Sequence, residues 1–129
     1  MKVLLDTQVW LWMLASPERL SKRSRTLVAS TTNELVLSAA STWEIAIKHG
    51  IGRLTLPESP SDCVARLMSS TGVIPLPIYH RHTLHVSTLP AHHADPFDRL
   101  LVAQAQIEDL PLLTADRMLG KYDIETIEA

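Results

Sequence analysis

The chain has 129 residues, 46% of them hydrophobic and 20% charged, with a formal charge of −2 at pH 7. That length suits a single domain over 1–129 that can form a core without a disulfide or metal staple, and Cys63, the single cysteine, has no internal partner. The slightly acidic balance excludes a polybasic protein that grips nucleic acid by bulk charge, so any such contact has to use a local basic patch.

Lys2 followed by apolar residues loosely imitates a secretory leader, but Asp6 and Gln8 interrupt the run. No later segment approaches the roughly 20 apolar residues of a membrane span. A cytoplasmic protein with no membrane contact is expected, in line with the cysteine usage. Val3–Leu5 reads as a strand buried on both faces, ending at Asp6. Val9–Leu14 is apolar at every position, more uniformly than a surface helix requires, so part of it should lie under another element or a partner. Ser21 caps a second helix to about Ser30, with Lys22, Arg23 and Arg25 as a basic cluster and Leu27 and Val28 inward. Glu34–Ser38 is the next buried strand. Ser41 to about His49 reads as helix, stopped by Gly50 and Gly52.

After the Pro57–Pro60 break, Val64, Leu67 and Met68 have amphipathic helical spacing. Val73–Pro77 is strand-like, and its two prolines confine it to an edge or to a very short strand. His80–Leu89 admits a helix. Asp95-Pro96-Phe97-Asp98 opens the clearest helix, with a cap, a proline at the first helical position and an acid in the first turn, running to Asp109. Leu112–Thr114 is a short strand, a turn or short helix follows to Gly120, and Ile124–Ile127 is a last strand. Strands alternating with helices predict an α/β fold, a three-layer sandwich around a mainly parallel sheet.

Open parallel sheets bind ligands outside the carboxyl ends of their strands. Asp6, Glu44, Asp98 and Asp116 each follow a strand or open a helix at that edge. Such a cluster repels itself at neutral pH unless groups protonate or cations bind. All-oxygen donors suit Mg2+ or Mn2+, and one or two ions would permit hydrolysis of a phosphate ester. Each acid also has a structural reading: Asp6, Asp95 and Asp116 as helix caps, Asp98 as a first-turn acid, and Ser41-Thr42-Trp43-Glu44 as a capping box.

The ordered set Val3-Leu4-Leu5-Asp6-Thr7, Ser41-Thr42-Trp43-Glu44-Ile45, Asp95 to Ala105 and Leu113-Thr114-Ala115-Asp116 resembles PIN domains, and among them the VapC ribonuclease toxins. The resemblance implies a five-stranded parallel sheet and Mg2+- or Mn2+-dependent cleavage of RNA. It also implies inhibition by a cognate antitoxin, and a homodimer. It puts the acidic constellation on Asp6, Glu44, Asp98 and Asp116, with Thr114 as polar neighbour. Many relatives carry a further acid just after the fourth; Arg117 stands there, so a second ion depends on Asp95 or a substrate phosphate.

Arg99 is read either as a phosphate or carboxylate partner or as structural. Trp10, Trp12 and Trp43 are read as core or interface residues before base-stacking ones, with Trp10 and Trp12 the candidates for dimer or antitoxin contact. His80, His82, His85, His92 and His93 lack the ligand pairs of a zinc site and default to surface or loop positions. The rival functions are a non-catalytic PIN-like RNA-binding or interaction module and, less favoured, an aspartate-dependent phosphatase or receiver domain. For the phosphatase, Gln8 stands where a second aspartate is needed.

Overall fold

A computed structural model describes residues 1–129. Five strands, β1 (Lys2–Leu5), β2 (Glu34–Ser38), β3 (Ile74–Leu76), β4 (Leu112–Thr114) and β5 (Thr126–Glu128), form one sheet in the order β3-β2-β1-β4-β5. Every neighbouring pair is parallel. The helices are α1 (Thr7–Ala15), α2 (Lys22–Ala29), α3 (Ala39–Gly50), α4 (Pro60–Thr71), α5 (His80–His85) and α6 (Pro96–Glu108). The α/β expectation holds, and the sheet is wholly parallel. β3, with Pro75 inside it, is an edge strand, where a missing N–H is tolerated.

The central strands are apolar throughout because both faces of the sheet are covered. Val3 and Leu5 of β1, Leu35 and Leu37 of β2 and Leu113 of β4 point into one core with Val9, Trp10, Leu27, Ile45 and Val64. Leu4, Val36 and Leu112 point into the other, against Leu100, Leu101, Val102 and Ala105 of α6. Each such leucine removed from water contributes roughly 1.5–3 kcal/mol.

Several boundaries differ from expectation. α3 starts at Ala39, two residues early, because the Ser38 hydroxyl accepts from Ala40 N at 2.9 Å and so caps it. Ser41 is therefore inside the helix. Its Oγ accepts from Thr7 Oγ1 at 2.8 Å, so no Ser41–Glu44 capping box forms. The same Ser38 hydroxyl donates to the buried Gln104 of α6, tying the start of α3 to α6. The 80–89 stretch divides into α5 and a 3-10 turn, Val86–Thr88. The last strand begins at Thr126, because Tyr122–Ile124 is spent on a turn.

β1 lies at the point where the chain order reverses: β2 and β3 extend the sheet to one side, β4 and β5 to the other. The crevice beyond the carboxyl ends of β1 and β4 is thus the switch point at which parallel sheets bind ligands. Because Leu5 sits fully buried in β1, Leu5→Ala is expected to lower unfolding stability by about 2–5 kcal/mol in urea denaturation.

Candidate active site

Leu5 pairs with Leu113, so the next residues, Asp6 just beyond β1 and Thr114 at the end of β4, lie side by side. Thr114 Oγ1 donates to Asp6 Oδ2 at 2.6 Å and accepts from Asp116 N at 3.0 Å, one hydroxyl orienting acids from both strand ends. Asp6 occupies the position before α1, where its side chain makes no cap bond of good geometry. Burial, reinforced by the charge of Glu44, pushes its carboxyl up from the ordinary value.

Glu44 enters from the second turn of α3 and is buried. Lys48, one turn on, pairs with its Oε2, and that bond holds the lysine above its usual pKa. Glu44 Oε1 is buried without any partner. The start of α6 brings two more acids. Asp95 caps the helix, its Oδ1 accepting from Phe97 N at 2.8 Å and Asp98 N at 3.1 Å. Asp98 is pushed up to about 7, first by burial and then by the charges of Asp6 and Asp95. Asp116 caps a 3-10 turn, Arg117–Lys121, by accepting from Met118 N at 2.9 Å through Oδ1.

Asp6, Glu44, Asp95, Asp98 and Asp116 line one cavity of about 320 Å³, with Gln8 and Lys48 at its rim. Asp95 and Asp116 thus each cap a helical segment through Oδ1 and also line the cavity. An unpartnered buried carboxylate oxygen beside two carboxyls driven toward the neutral form fits a hard divalent cation, whose charge would compensate what the protein leaves uncompensated. The set of donors is oxygen-rich, in keeping with Mg2+ or Mn2+.

Arg99 takes no part in the cavity. Its guanidinium donates to Pro90 O at 2.9 Å, Val86 O at 3.2 Å and Tyr122 Oη at 3.2 Å, so it is the structural alternative that holds. It thereby fastens the 86–93 stretch to the start of α6. Lys22, Arg23 and Arg25 are exposed on α2, and only Arg23 reaches the cavity's neighbourhood, in a groove shared with Thr114, Asp116 and Arg117. Trp10 is 1% exposed with Nε1 toward Thr71 Oγ1, so it belongs to the core and offers no partner surface. Trp12 is half-buried on the core's margin. Trp43, 51% exposed, stacks edge-on against Phe97 at 4.8 Å.

Two of the histidines depart from the surface expectation. His82 is fully buried, bonded through Nε2 to Glu108 Oε1 at 2.8 Å and through Nδ1 to Tyr79 N at 3.0 Å. His93 stands against the acids, its Nε2 at 2.9 Å from Asp116 Oδ2 and 3.3 Å from Asp98 Oδ2. Nothing in the spacing of the histidines identifies His93; its nearness to the Asp95 cap is the one signal the sequence carries. Lys48 was also missed, although it lies one helical turn beyond Glu44.

The PIN domain family model matches residues 3–125. The chain belongs to the PIN domain family. A PIN-domain relative named Ribonuclease VapC16, from Mycobacterium tuberculosis, is 42% identical over 62 residues. That match covers 48% of this chain and 44% of the relative, so the chain spans under half of that protein's length. Among solved structures, VapBC2 from Rickettsia felis, bound to a DNA fragment from its promoter, superposes with a TM-score of 0.73 at 14% identity. It covers 99% of this chain and 98% of its own. VapBC-5 from Mycobacterium tuberculosis, a member of the VapBC family of toxin-antitoxin systems, gives a TM-score of 0.63 at 17% identity, covering 99% and 98%. At these identities the two structures establish a shared fold for the PIN-domain chain.

The raised Asp98 pKa links metal-free stability to pH. Between the ordinary value of 3.8 and about 7 the folded protein keeps a proton that the unfolded chain has lost, so stability falls as pH rises through that window. In EDTA the melting temperature is expected to drop between pH 5.5 and pH 8, and Asp98→Asn should flatten the drop in a thermal-melt series.

Proposed function

We propose that this PIN-domain chain is a metal-dependent endoribonuclease that hydrolyses RNA phosphodiester bonds as the toxin of a toxin-antitoxin pair. The observation carrying this reading is the gathering of Asp6, Glu44, Asp98 and Asp116 in one cavity at the sheet's switch point, where Glu44 Oε1 has no protein partner. The names of the relatives add to it: one is a ribonuclease and the solved neighbours include a toxin-antitoxin member.

In this reading the four acids hold one or two Mg2+ or Mn2+ ions, and Asp95, with one oxygen committed to the α6 cap, has the other for a second ion. A bound divalent ion supplies charge stabilisation to the phosphoryl oxygens and makes a water more acidic. The protein's own groups prepare the place. Thr114 fixes the turn of Asp6, and Lys48 holds one oxygen of Glu44 while the other is buried without a partner. Gln8 and Lys48 at the rim, and Arg23 and Arg117 in the adjoining groove, offer donors to RNA phosphates. They form the local basic patch that the near-neutral net charge requires.

Partner surface is present in two places. Leu11 and Leu14 of α1 line an apolar groove with Leu54, Leu56, Pro57 and Leu67, suited to an apolar segment of an antitoxin. Trp43, Ile47 and Ile51 are exposed at successive turns of α3 and its end, a stripe suited to a second copy of the chain. No helix is long and apolar enough to cross a membrane.

With Mg2+ or Mn2+ the protein is expected to cleave single-stranded RNA, and EDTA should abolish cleavage. Asp6→Asn should lose at least about 100-fold in rate while its circular dichroism stays native, since even partners outside a metal's ligands are worth 10–100-fold. Equal cleavage by the variant and in EDTA contradicts the reading. RNA bound but never cleaved by a protein that takes up Mn2+ assigns the non-catalytic PIN module instead.

A further inference from the structure

His93 presents its ring edge to the acidic cavity in a chemically defined state. Asp95 N donates to His93 Nδ1 at 3.0 Å, so Nδ1 carries the lone pair and, in the neutral ring, the proton sits on Nε2. That Nε2 bonds Asp116 Oδ2 at 2.9 Å, and Asp98 Oδ2, from a different part of the chain, lies 3.3 Å from the same nitrogen. Although the three side chains lie close enough for one ion to touch all of them, the nitrogen facing the cavity is a donor. To ligate a metal through Nε2 the ring would have to move its proton to Nδ1, directly against the Asp95 amide hydrogen. Two donors would then face each other in a part-buried contact, at the expense of an existing hydrogen bond.

From this geometry, and resting on the metal reading above, we propose that His93 is a positioning residue that holds Asp116 through Nε2–H, stands against Asp98, and keeps the centre all-oxygen. The ring joins the α6 side of the site to the β4 side. Its own placement is secured twice: by the Asp95 amide, and by Arg99, which binds the loop leading to it at the Pro90, Leu89 and Val86 carbonyls. The chemical consequence is selectivity. A centre whose one nearby imidazole is offered as N–H gives no advantage to zinc-type ions, which favour imidazole nitrogen, and leaves Mg2+ and Mn2+ as the fitting ions.

The test reads the ring directly. Long-range proton–nitrogen spectra of histidine-labelled, metal-free protein at pH 8 are expected to show His93 protonated at Nε2 and bare at Nδ1, and to stay so when Mg2+ or Zn2+ is added. Calorimetric titration with Mn2+ should then show affinity falling about 10–100-fold in His93→Leu and largely restored in His93→Gln, whose amide supplies a distal N–H. Restoration by glutamine separates the donor from mere packing. A proton on Nδ1, loss of the Nε2 proton on adding metal, or a leucine variant that binds Mn2+ like wild type overturns the assignment of His93 and leaves the metal centre standing. Wild-type protein that binds no Mn2+ overturns both.

Discussion

The structure turns on the crowding of carboxylates at one point, the crevice beyond the carboxyl ends of β1 and β4. Asp6 and Glu44 are buried there and Asp98 nearly so, and the fold supplies Lys48 as the one cation lining the cavity. Burial and mutual repulsion act in the same direction on Asp6 and Asp98, pushing both toward their neutral forms. A site built this way is destabilising on its own account and becomes favourable when a multivalent cation supplies the missing charge. The two-faced core provides the rigidity that holds it, since neither β1 nor β4 can shift without displacing leucines on both faces of the sheet.

Around that point, small polar side chains do the aligning. Thr114 links Asp6 to the Asp116 backbone, Thr7 and Ser41 join the starts of α1 and α3, and Ser38 with Gln104 joins α3 to α6. Each bond is worth only about 1 kcal/mol in stability. Their larger effect is positional, because between them they register all the elements that carry an acid. Arg99 works at longer reach by closing the loop that delivers His93 to the cavity.

The charge pattern makes sense at the same scale. The net charge of −2 is unsuited to binding RNA from a distance. Locally, Lys48 lines the cavity, and Arg23 and Arg117 line the groove beside it, so the proposed ribonuclease reading has cations next to the acids.

The sequence by itself determined the sheet, the helices and the main acids, because those depend on local patterning. The short apolar run Val3–Leu5, cut off by Asp6, forms a buried strand, Pro96 after Asp95 opens a helix, and an acid directly after a buried strand emerges at the sheet edge. Only the tertiary structure decided the roles that depend on a distant partner. Of the two readings of Glu44, the capping box is lost because Ser38 caps α3 in place of Ser41, and the same Ser38 hydroxyl is bonded to Gln104, 66 positions away in the chain. Trp10 and Arg99 belong to the core and the loop scaffold for the same reason: what each meets comes from another element. His93 is indistinguishable from its neighbours in a histidine-rich stretch, since its bond to Asp116 and its closeness to Asp98 leave no periodicity in the sequence. Local patterns specify which backbone forms, whereas the partner of a polar side chain is chosen by the folded neighbourhood.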